Sequence, residues 1–509
     1  MGAAGAQYGF KMALFFSLGA VPALVFVGVY MMPLYYGSGA RTVPEYLGLR
    51  FGRKTRLLHA GTFVAMTIAC GGIALCLVAR VIQALHILDR IFFAYGLPRQ
   101  GMFTFCVVLV AALVLAYVLL AGLAGTMVNQ TLQFFVIAAS FVPMVFVGLG
   151  NIGGFGKVEE MAGAQASVSL AAGHQAFLMR PIPAALLALT VGFVLSAGRW
   201  STDFRLIQNA MAAKTQGSAR RIPLFAAAVR LALPFILILP GAIAIGLPTP
   251  QSSTVVRNEN GAIYHEITVV PPDAAAGQGL VPARVDTATG KPLVDGTGHA
   301  LLNYDRATPA MLMEMLPGGL LGLGLAALLA SLMSGLASGA TAAAAVIVTD
   351  VLPAFVGENQ NERRAIVVGR WAMAGAILLS VGAAFAISEF HLSIFDSILY
   401  PLALGAALVT APQLATFLLG MFTRRATAHG AFAGLASGFV AALLLHGLTL
   451  PADAERGLHG GWIAVVNRYP GFIAQCVSMA LVGFVANSIV TLAVSATTQA
   501  KTEKELKGL

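Results

Sequence analysis

Eleven apolar stretches, each of about 18 residues or more and so long enough to cross a bilayer as a helix, decide what this chain can fold into. They run over residues 9–34, 57–85, 102–122, 127–150, 181–208, 222–247, 316–349, 366–389, 395–421, 428–448 and 469–495. Hydrophobic residues make up 58% of the 509-residue chain and charged ones 10%, and mean hydropathy is +0.83. In hydrocarbon a backbone must satisfy its own hydrogen bonds, and for segments of this length that means helices. The expected fold is an all-α polytopic membrane protein; a string of soluble domains is excluded.

The net charge of +10 does not point to nucleic acid, because no basic run exceeds a few residues and the charges gather between spans. They report topology instead. One set of alternate connections holds Arg41, Arg50, Arg53, Lys54 and Arg56, then Lys214, Arg220 and Arg221, Arg363 and Arg364, Arg424 and Arg425, and Lys501, Lys504 and Lys507. The positive-inside rule puts these connections and the C-terminal tail, 496–509, in the cytoplasm of a cell-membrane protein. The long connection over 248–315, rich in Gly, Pro, Asp and Thr, then faces outward as a partly ordered cap with one strand-like patch at 262–270.

Several function classes drop out. Cys70, Cys76, Cys106 and Cys476 all lie in apolar runs without metal-ligand spacing and read as buried free thiols. There is no P-loop, no cleavable signal and no nucleophile–base constellation, so an enzyme is not expected. His86, His174, His265, His299, His391, His429, His446 and His459 fall mostly in loops or at span ends and read as solvated.

Residues 317–352, PGGLLGLGLAALLASLMSGLASGATAAAAVIVTDVL, carry a line of hydroxyls. At 100° per residue Ser331, Ser334, Ser338 and Thr341 share an arc of roughly 80°, with Gly324, Ala327 and Gly335 beside them. Leu325, Leu329, Leu332, Met333 and Leu336 point the other way, a bulky face suited to lipid. Hydroxyl oxygens are hard donors of the kind a small cation needs, although small residues also serve close helix packing.

Ionisable residues inside spans are costly and mark function. They are Arg80, Arg199, Asp203, Arg205, Arg230 and Asp396, with Lys11 and Asp350 near span ends; Arg205 and Asp350 read as interface anchors. The cluster Arg199, Trp200, Ser201, Thr202 and Asp203 follows Gly198 in a span opened by Pro181, Ile182 and Pro183, a pattern that suggests a helix broken near mid-membrane. Arg230 on the next span can pair with Asp203 or meet a ligand.

Five segments resemble the sodium/solute symporter family of sodium-coupled sugar, proline, pantothenate and iodide transporters. Residues 42–52, TVPEYLGLRFG, look like its TxPE(F/Y)LxxRFG element, and 121–133, AGLAGTMVNQTLQ, like its GGLxAxxxTDxxQ element. Residues 200–208, WSTDFRLIQ, followed by Arg220, Arg221, Pro240 and Gly241, are similar to the YWxTDQxxxQR span. The 317–352 stretch resembles the ASxxSSLxSxxNSxxxxxxxDxY helix, and 420–434, GMFTRRATAHGAFAG, the GxFxxRxxxxGAxxG signature.

The resemblance implies a single LeuT-type inverted-repeat domain over 1–509, with repeat helices in 9–247 and 316–421 and peripheral helices in 428–495. It implies sodium-coupled import of a small organic solute by a monomer or weak homo-oligomer in the lipid bilayer. Sodium would meet the Ser334 side chain and the Ser331 carbonyl, with Ser338 beside them. Solute would meet Arg199, Trp200, Thr202, Asp203 and Arg230 and would be sugar-like, polyol-like or carboxylated. Gly335 stands where a second serine is usual, Gln130 where the element has aspartate, Arg199 where sugar cotransporters have tyrosine and Arg230 where they have lysine. The alternatives are a transporter uncoupled from sodium, such as a proton-coupled exchanger or uniporter, and a truncated, non-transporting sensor or relic. The family has two helices before the one that leads to PEYL, the second being the broken helix that completes the sodium site. The expectation is a start upstream of Met1 or a fragment, since true loss would leave the polar face of 317–352 unsatisfied.

Overall fold

The computed structural model describes residues 2–9, 11–84, 88, 101–158, 196–247, 258–259, 262–263, 277–284, 292–293, 300–357, 361–389, 399–452, 454–469, 471–499 and 501. The sequence-based expectations at Pro181, Ile182 and Pro183, at Asp396, at His86, His174, His265, His299 and His391, over 264–270 and at Lys504 and Lys507 fall outside the described residues.

In chain order the helices are α1 (Gly2–Tyr8), α2 (Lys11–Phe26), α3 (Met32–Gly37), α4 (Val43–Phe51), α5 (Arg53–Ala84), α6 (Met102–Ile152), α7 (Gly198–Thr202), α8 (Phe204–Met211) and α9 (Gln216–Leu237). They continue as α10 (Leu239–Gly246), α11 (Ala307–Met315), α12 (Gly318–Val346), α13 (Leu352–Val356), α14 (Glu362–Glu389), α15 (Leu399–Gly405), α16 (Ala411–Phe422), α17 (Ala428–Leu448) and α18 (Phe472–Thr497). Nine helices among the described residues are long and apolar enough to cross a membrane, and the protein is a multi-pass membrane protein. One of the nine is α6, whose 51 residues would extend about 76 Å if straight, more than twice a hydrocarbon core. Its path breaks at Gly122, which holds φ 58° and ψ −150°, backbone angles that only glycine adopts at little cost. The two separate spans expected at 102–122 and 127–150 meet at that residue.

Full π-turns interrupt the α-helical ladder at Val27–Met31, Ile347–Val351 and Ala406–Thr410. Each is followed two residues later by a proline: Pro33, Pro353 and Pro412. Proline supplies no N–H to the carbonyl four residues back and its ring crowds that carbonyl, so the preceding turn widens to i→i+5 bonding.

The chain divides into two compact units. The first comprises Met1–Leu14, Phe134–Gln175 and Ala232–Leu328. Its core is made by Phe141 and Met144 of α6, Ile243 of α10, Met311 and Leu312 of α11, and Ala327 of α12. Glycines let α1 and α10 touch backbone to backbone, since a Cβ on Gly241 would lie 1.8 Å from the Gly2 carbonyl oxygen. Two antiparallel pairs follow in the long connection, β1 (Asn258–Glu259) with β2 (Ala262–Ile263) and β3 (Gly277–Gln278) with β4 (Val281–Pro282). The second pair is fastened by Leu280 N–H donating to the Ala244 carbonyl at 2.8 Å.

The larger unit comprises Phe15–Gln133, Ala176–Leu231 and Leu329–Leu509. Leu75, Val78 and Ala79 of α5, Val107 and Val114 of α6, Leu336 and Ala340 of α12 and Ile377 and Ala384 of α14 form one core. Leu329, Leu332 and Met333 pack against it. The bulky face of α12 is therefore turned to protein, which corrects the expectation that it meets lipid. Lipid and a protein core are equally apolar, so side-chain size alone does not distinguish them. All four cysteines are free thiols.

The 42–52 motif builds one end of this unit. Thr42 caps α4, accepting from Glu45 N–H at 3.1 Å, and Glu45 Oε2 accepts from Arg41 N–H at 2.6 Å, a near relative of the capping box. Gly52, at φ 92°, turns the chain into α5. Thr42 also donates to Asp350 Oδ2 at 2.7 Å, and Arg56 Nε donates to Asp350 Oδ1 at 2.6 Å. Asp350 is thus a buried ion-pair partner tying α12 to the α4–α5 corner, which corrects its reading as an interface anchor. Arg50 caps the end of α16, donating to the carbonyls of Gly420 at 3.1 Å and Thr423 at 2.9 Å, and Lys501 Nζ donates to the Leu49 carbonyl at 2.9 Å.

The peripheral pair α17–α18 explains the glycines of 420–434. A Cβ on Gly430, Gly434 or Gly438 would lie 2.1 Å from Ser495 Oγ, 1.9 Å from Thr491 Oγ1 or 2.8 Å from the Gly483 carbonyl oxygen. The four-residue spacing runs antiparallel on the two helices, the small-residue contact of membrane bundles. β5 (Thr449–Pro451) and β6 (Asn467–Tyr469) pair in parallel beyond it. Gly434→Ala is expected to cost about 1–3 kcal/mol, the range for overpacking. Gly375→Ala, where a Cβ meets nothing within 4 Å, is expected to leave the melting temperature in detergent unchanged.

Candidate functional site

Near the C-terminal end of the 181–208 span, rather than at its middle, the helix is interrupted at Asp203. Its backbone, at φ −78° and ψ 102°, is extended and separates α7 from α8. Asp203 Oδ1 accepts the Arg205 N–H at 3.1 Å and so caps α8. On the α7 side Thr202 Oγ1 donates back to the Gly198 carbonyl at 2.7 Å, Ser201 Oγ donates to the Ala197 carbonyl, and Tyr35 Oη donates to the Ser201 carbonyl at 3.0 Å. The Ser201 carbonyl and the Arg205 N–H, both freed by the break, thus have partners within the fold. Gly198 lets α7 approach α16, because a Cβ there would lie 2.8 Å from the Thr410 carbonyl oxygen in a π-turn.

Asp203 is 4% exposed, and both of its carboxylate oxygens are held by the guanidinium of Arg205, Nε reaching Oδ1 at 2.9 Å and Oδ2 at 3.1 Å. Arg205 was expected as an interface anchor and Arg230 as a possible partner of Asp203, and the structure corrects both. Residues two apart in a continuous helix point to nearly opposite sides, but an extended Asp203 turns its side chain toward Arg205. Arg230 instead lies over the Trp200 ring, 5.4 Å from its centroid, a cation–π contact. Arg199 and Trp200 are half-buried and Thr202 is enclosed.

α8 reaches the hydroxyl face of α12 through Gln208, whose Nε2 donates to the Ser338 carbonyl at 3.3 Å. Ser338 Oγ donates to the Gly335 carbonyl at 3.2 Å, and Thr341 Oγ1 donates to the carbonyls of Ala337 and Ser338. Ser331 is exposed and Ser334 half-buried, and among the described residues neither hydroxyl is engaged in a hydrogen bond. Gly335, also exposed, adds no oxygen from its side chain. The residues present offer hydroxyl donors of the hardness sodium requires, one fewer than a second serine would give. Gln130 accepts from Asn209 Nδ2 at 3.5 Å, a neutral contact where aspartate would place a charge.

Beside α8 and α12 lies a cavity of about 870 Å³, lined mainly by apolar side chains together with Tyr36, Arg41, Gln208, Thr341 and Arg370. Its lining contains two arginines and no carboxylate.

Sequence reading passed over three participants. Gln208 stands inside the quoted motif without a role, and Arg205 reads from the sequence as an interface anchor. His59, fully buried in α5 against Phe417 at 5.6 Å, was not weighed at all.

A helix interrupted at Asp203 and bonded through Gln208 to a helix with a hydroxyl-bearing side is an arrangement of the kind found in secondary transporters with discontinuous helices. Over 98% of this chain and 86% of the other, the fold matches that of a sodium-coupled sialic acid symporter solved in a substrate-bound outward-open state, with a TM-score of 0.69 at 15% identity. Residues 1–438 match the sodium:solute symporter family, and the chain belongs to that family. Relatives include a sodium/glucose cotransporter of Vibrio parahaemolyticus, 24% identical over 87% of this chain and 73% of its own length. A sodium/myo-inositol cotransporter of Mus musculus is 25% identical over 86% of this chain, which spans 57% of the mouse protein. These relatives are transporters, not enzymes.

The Asp203–Arg205 pair can be tested by a double-mutant cycle. Arg205→Leu, which leaves a carboxylate buried alone, is expected to cost about 3–5 kcal/mol of stability. Adding Asp203→Asn is expected to recover most of that loss in thermal melts, and strictly additive effects would show that the two side chains act independently.

Proposed function

We propose that the protein couples inward sodium movement to uptake of a small organic solute by alternating access. The observation that carries this reading is the Gln208–Ser338 hydrogen bond, which joins the broken helix to the hydroxyl face of α12. A change at either element is thereby felt by the other. Sodium is held by the Ser334 hydroxyl and the Ser331 carbonyl, with Ser338 next to them, and favours the outward-open state. Solute is held by Arg199, Trp200, Thr202, Asp203 and Arg230 and favours closure. Coupling requires only that each ligand bind one state better than the other.

The solute is sugar-like, polyol-like or carboxylated. The named sugar and polyol relatives support the first two, and the arginines at 41, 199, 230 and 370 favour a carboxylate, which a guanidinium recognises with two parallel hydrogen bonds. The C-terminus is cytoplasmic on this reading. The contact of Lys501 with α4 supports a common side for the tail and the arginine-rich 41–56 connection, and the positive-inside rule makes that side the cytoplasm. A second reading, transport without sodium, has Gly335 and Gln130 in its favour.

The test is uptake into proteoliposomes of radiolabelled glucose, myo-inositol and sialic acid. At least one is expected to accumulate under an inward sodium gradient and not when potassium replaces sodium. Ser334→Ala is expected to raise the half-saturating sodium concentration roughly tenfold, equivalent to about 1.4 kcal/mol. Uptake undiminished without sodium would establish the second reading in place of the first.

A further inference from the structure

Five buried side-chain atoms without a hydrogen-bond partner among the described residues come from four residues at the α4–α5 corner. They are Tyr46 Oη, Arg50 Nη1, Thr55 Oγ1 and both ring nitrogens of His59. Tyr46, Thr55 and His59 are 0% exposed and Arg50 2%. Tyr46 and Arg50 are four residues apart on α4, and Thr55 and His59 four apart on α5, so each pair shares a helix face. One residue of each pair meets Phe417 of α16: Tyr46 stacks on it at 6.2 Å and His59 meets it edge-on at 5.6 Å.

Buried polar atoms in native proteins are almost always bonded, because one left bare has given up its hydrogen bonds to water and gained none in return. A group of five at one corner therefore calls for a ligand. Its chemistry follows from the donor and acceptor inventory. Arg50 Nη1 only donates, Tyr46 and Thr55 do either, and a neutral imidazole has one donor and one acceptor nitrogen. Burial pushes the Tyr46 hydroxyl up to about 12, so it remains an O–H group. An anion would suit Arg50 but would leave the acceptor nitrogen of His59 bare. The Arg50 charge already faces two helix-end carboxamide oxygens, those of Gly420 and Thr423. A cation is repelled by the same guanidinium. Water, which donates and accepts, meets every requirement.

We propose that Tyr46, Arg50, Thr55 and His59 enclose a buried hydration site of ordered water between α4, α5 and α16. Tyr35, edge-on to Tyr46 at 5.1 Å, donates to the Ser201 carbonyl, so the hydrated corner lies one aromatic ring from the helix break. The 42–52 motif thus supports the break through water and an aromatic relay as well as through its own capping bonds.

The experiment is X-ray radiolytic hydroxyl labelling in ¹⁸O-water of the full chain in lipid nanodiscs, where bound water labels neighbouring side chains even when they are buried. Tyr46 and His59 are expected to label at a rate comparable to Trp462, which is 49% exposed, while Phe141, buried in the core of the first unit, stays unlabelled. Tyr46→Phe and Thr55→Val, which delete only the polar contribution at each site, provide the second measurement. If water is bound, each is expected to lower Tm by about 1–3 °C. If the corner is dry, each removes a bare hydroxyl and raises Tm. Absence of label at Tyr46 and His59, or a Tm unchanged or raised in both variants, overturns the proposal.

Discussion

A helix that is interrupted leaves backbone N–H and C=O groups without helical partners, and the rest of this structure depends on how they are satisfied at the buried Asp203. One side chain caps the new helix with one carboxylate oxygen while both oxygens engage Arg205, so the break, the cap and the charge compensation are a single interaction. Ser201, Thr202 and Tyr35 complete it from the other side. A charged pair of this kind contributes little net stability over an apolar substitute, but it specifies where the helix breaks, and a transporter needs that position fixed.

The same economy governs the prolines. Each of Pro33, Pro353 and Pro412 removes one helical hydrogen bond, and in each case the preceding turn widens rather than unravelling. At Ile347–Val351 the widened turn presents Asp350 to Thr42 and Arg56. At Ala406–Thr410 it brings the Thr410 carbonyl against Gly198 of α7. Asn487 of α18 donates to the Pro412 carbonyl and to Thr416 Oγ1, holding the third proline-bearing helix to its neighbour. The irregular turns are consequently joints between elements, placed by single residues in otherwise apolar runs.

Hydropathy made the spans legible, and Gly198 followed by a polar cluster made the break legible. The motif at 42–52 could be read to its capping residues, since Thr, Pro and Glu at those spacings start helices for local reasons. What could not be read depends on directions that a regular helix does not have. Asp203 and Arg205 meet because the residue between the helices is extended, and Asp350 turns inward because a π-turn shifts its angular position. The buried face of α12 was assigned to lipid because Leu329, Leu332 and Leu336 are as suitable for lipid as for the core they fill. His59 carried no signal: a single polar residue in an apolar run acquires meaning only from what packs around it.

The two faces of α12 finally divide its work. Leu336, Ala337 and Ala340 lock it against α5, α6 and α14, so this helix is a fixed wall of the larger unit. The hydroxyls on its other side are then held by a rigid backbone, and Ser338 is further restrained through its carbonyl by Gln208. A weak oxygen site for a small cation gains selectivity from such rigidity more than from the number of its donors. On the proposed reading, glycine at 335 in place of a second serine is expected to lower sodium affinity without abolishing the geometry. The link to α8 supplies what a larger donor set would not, a mechanical connection from the cation's wall to the helix break beside which the solute is proposed to bind.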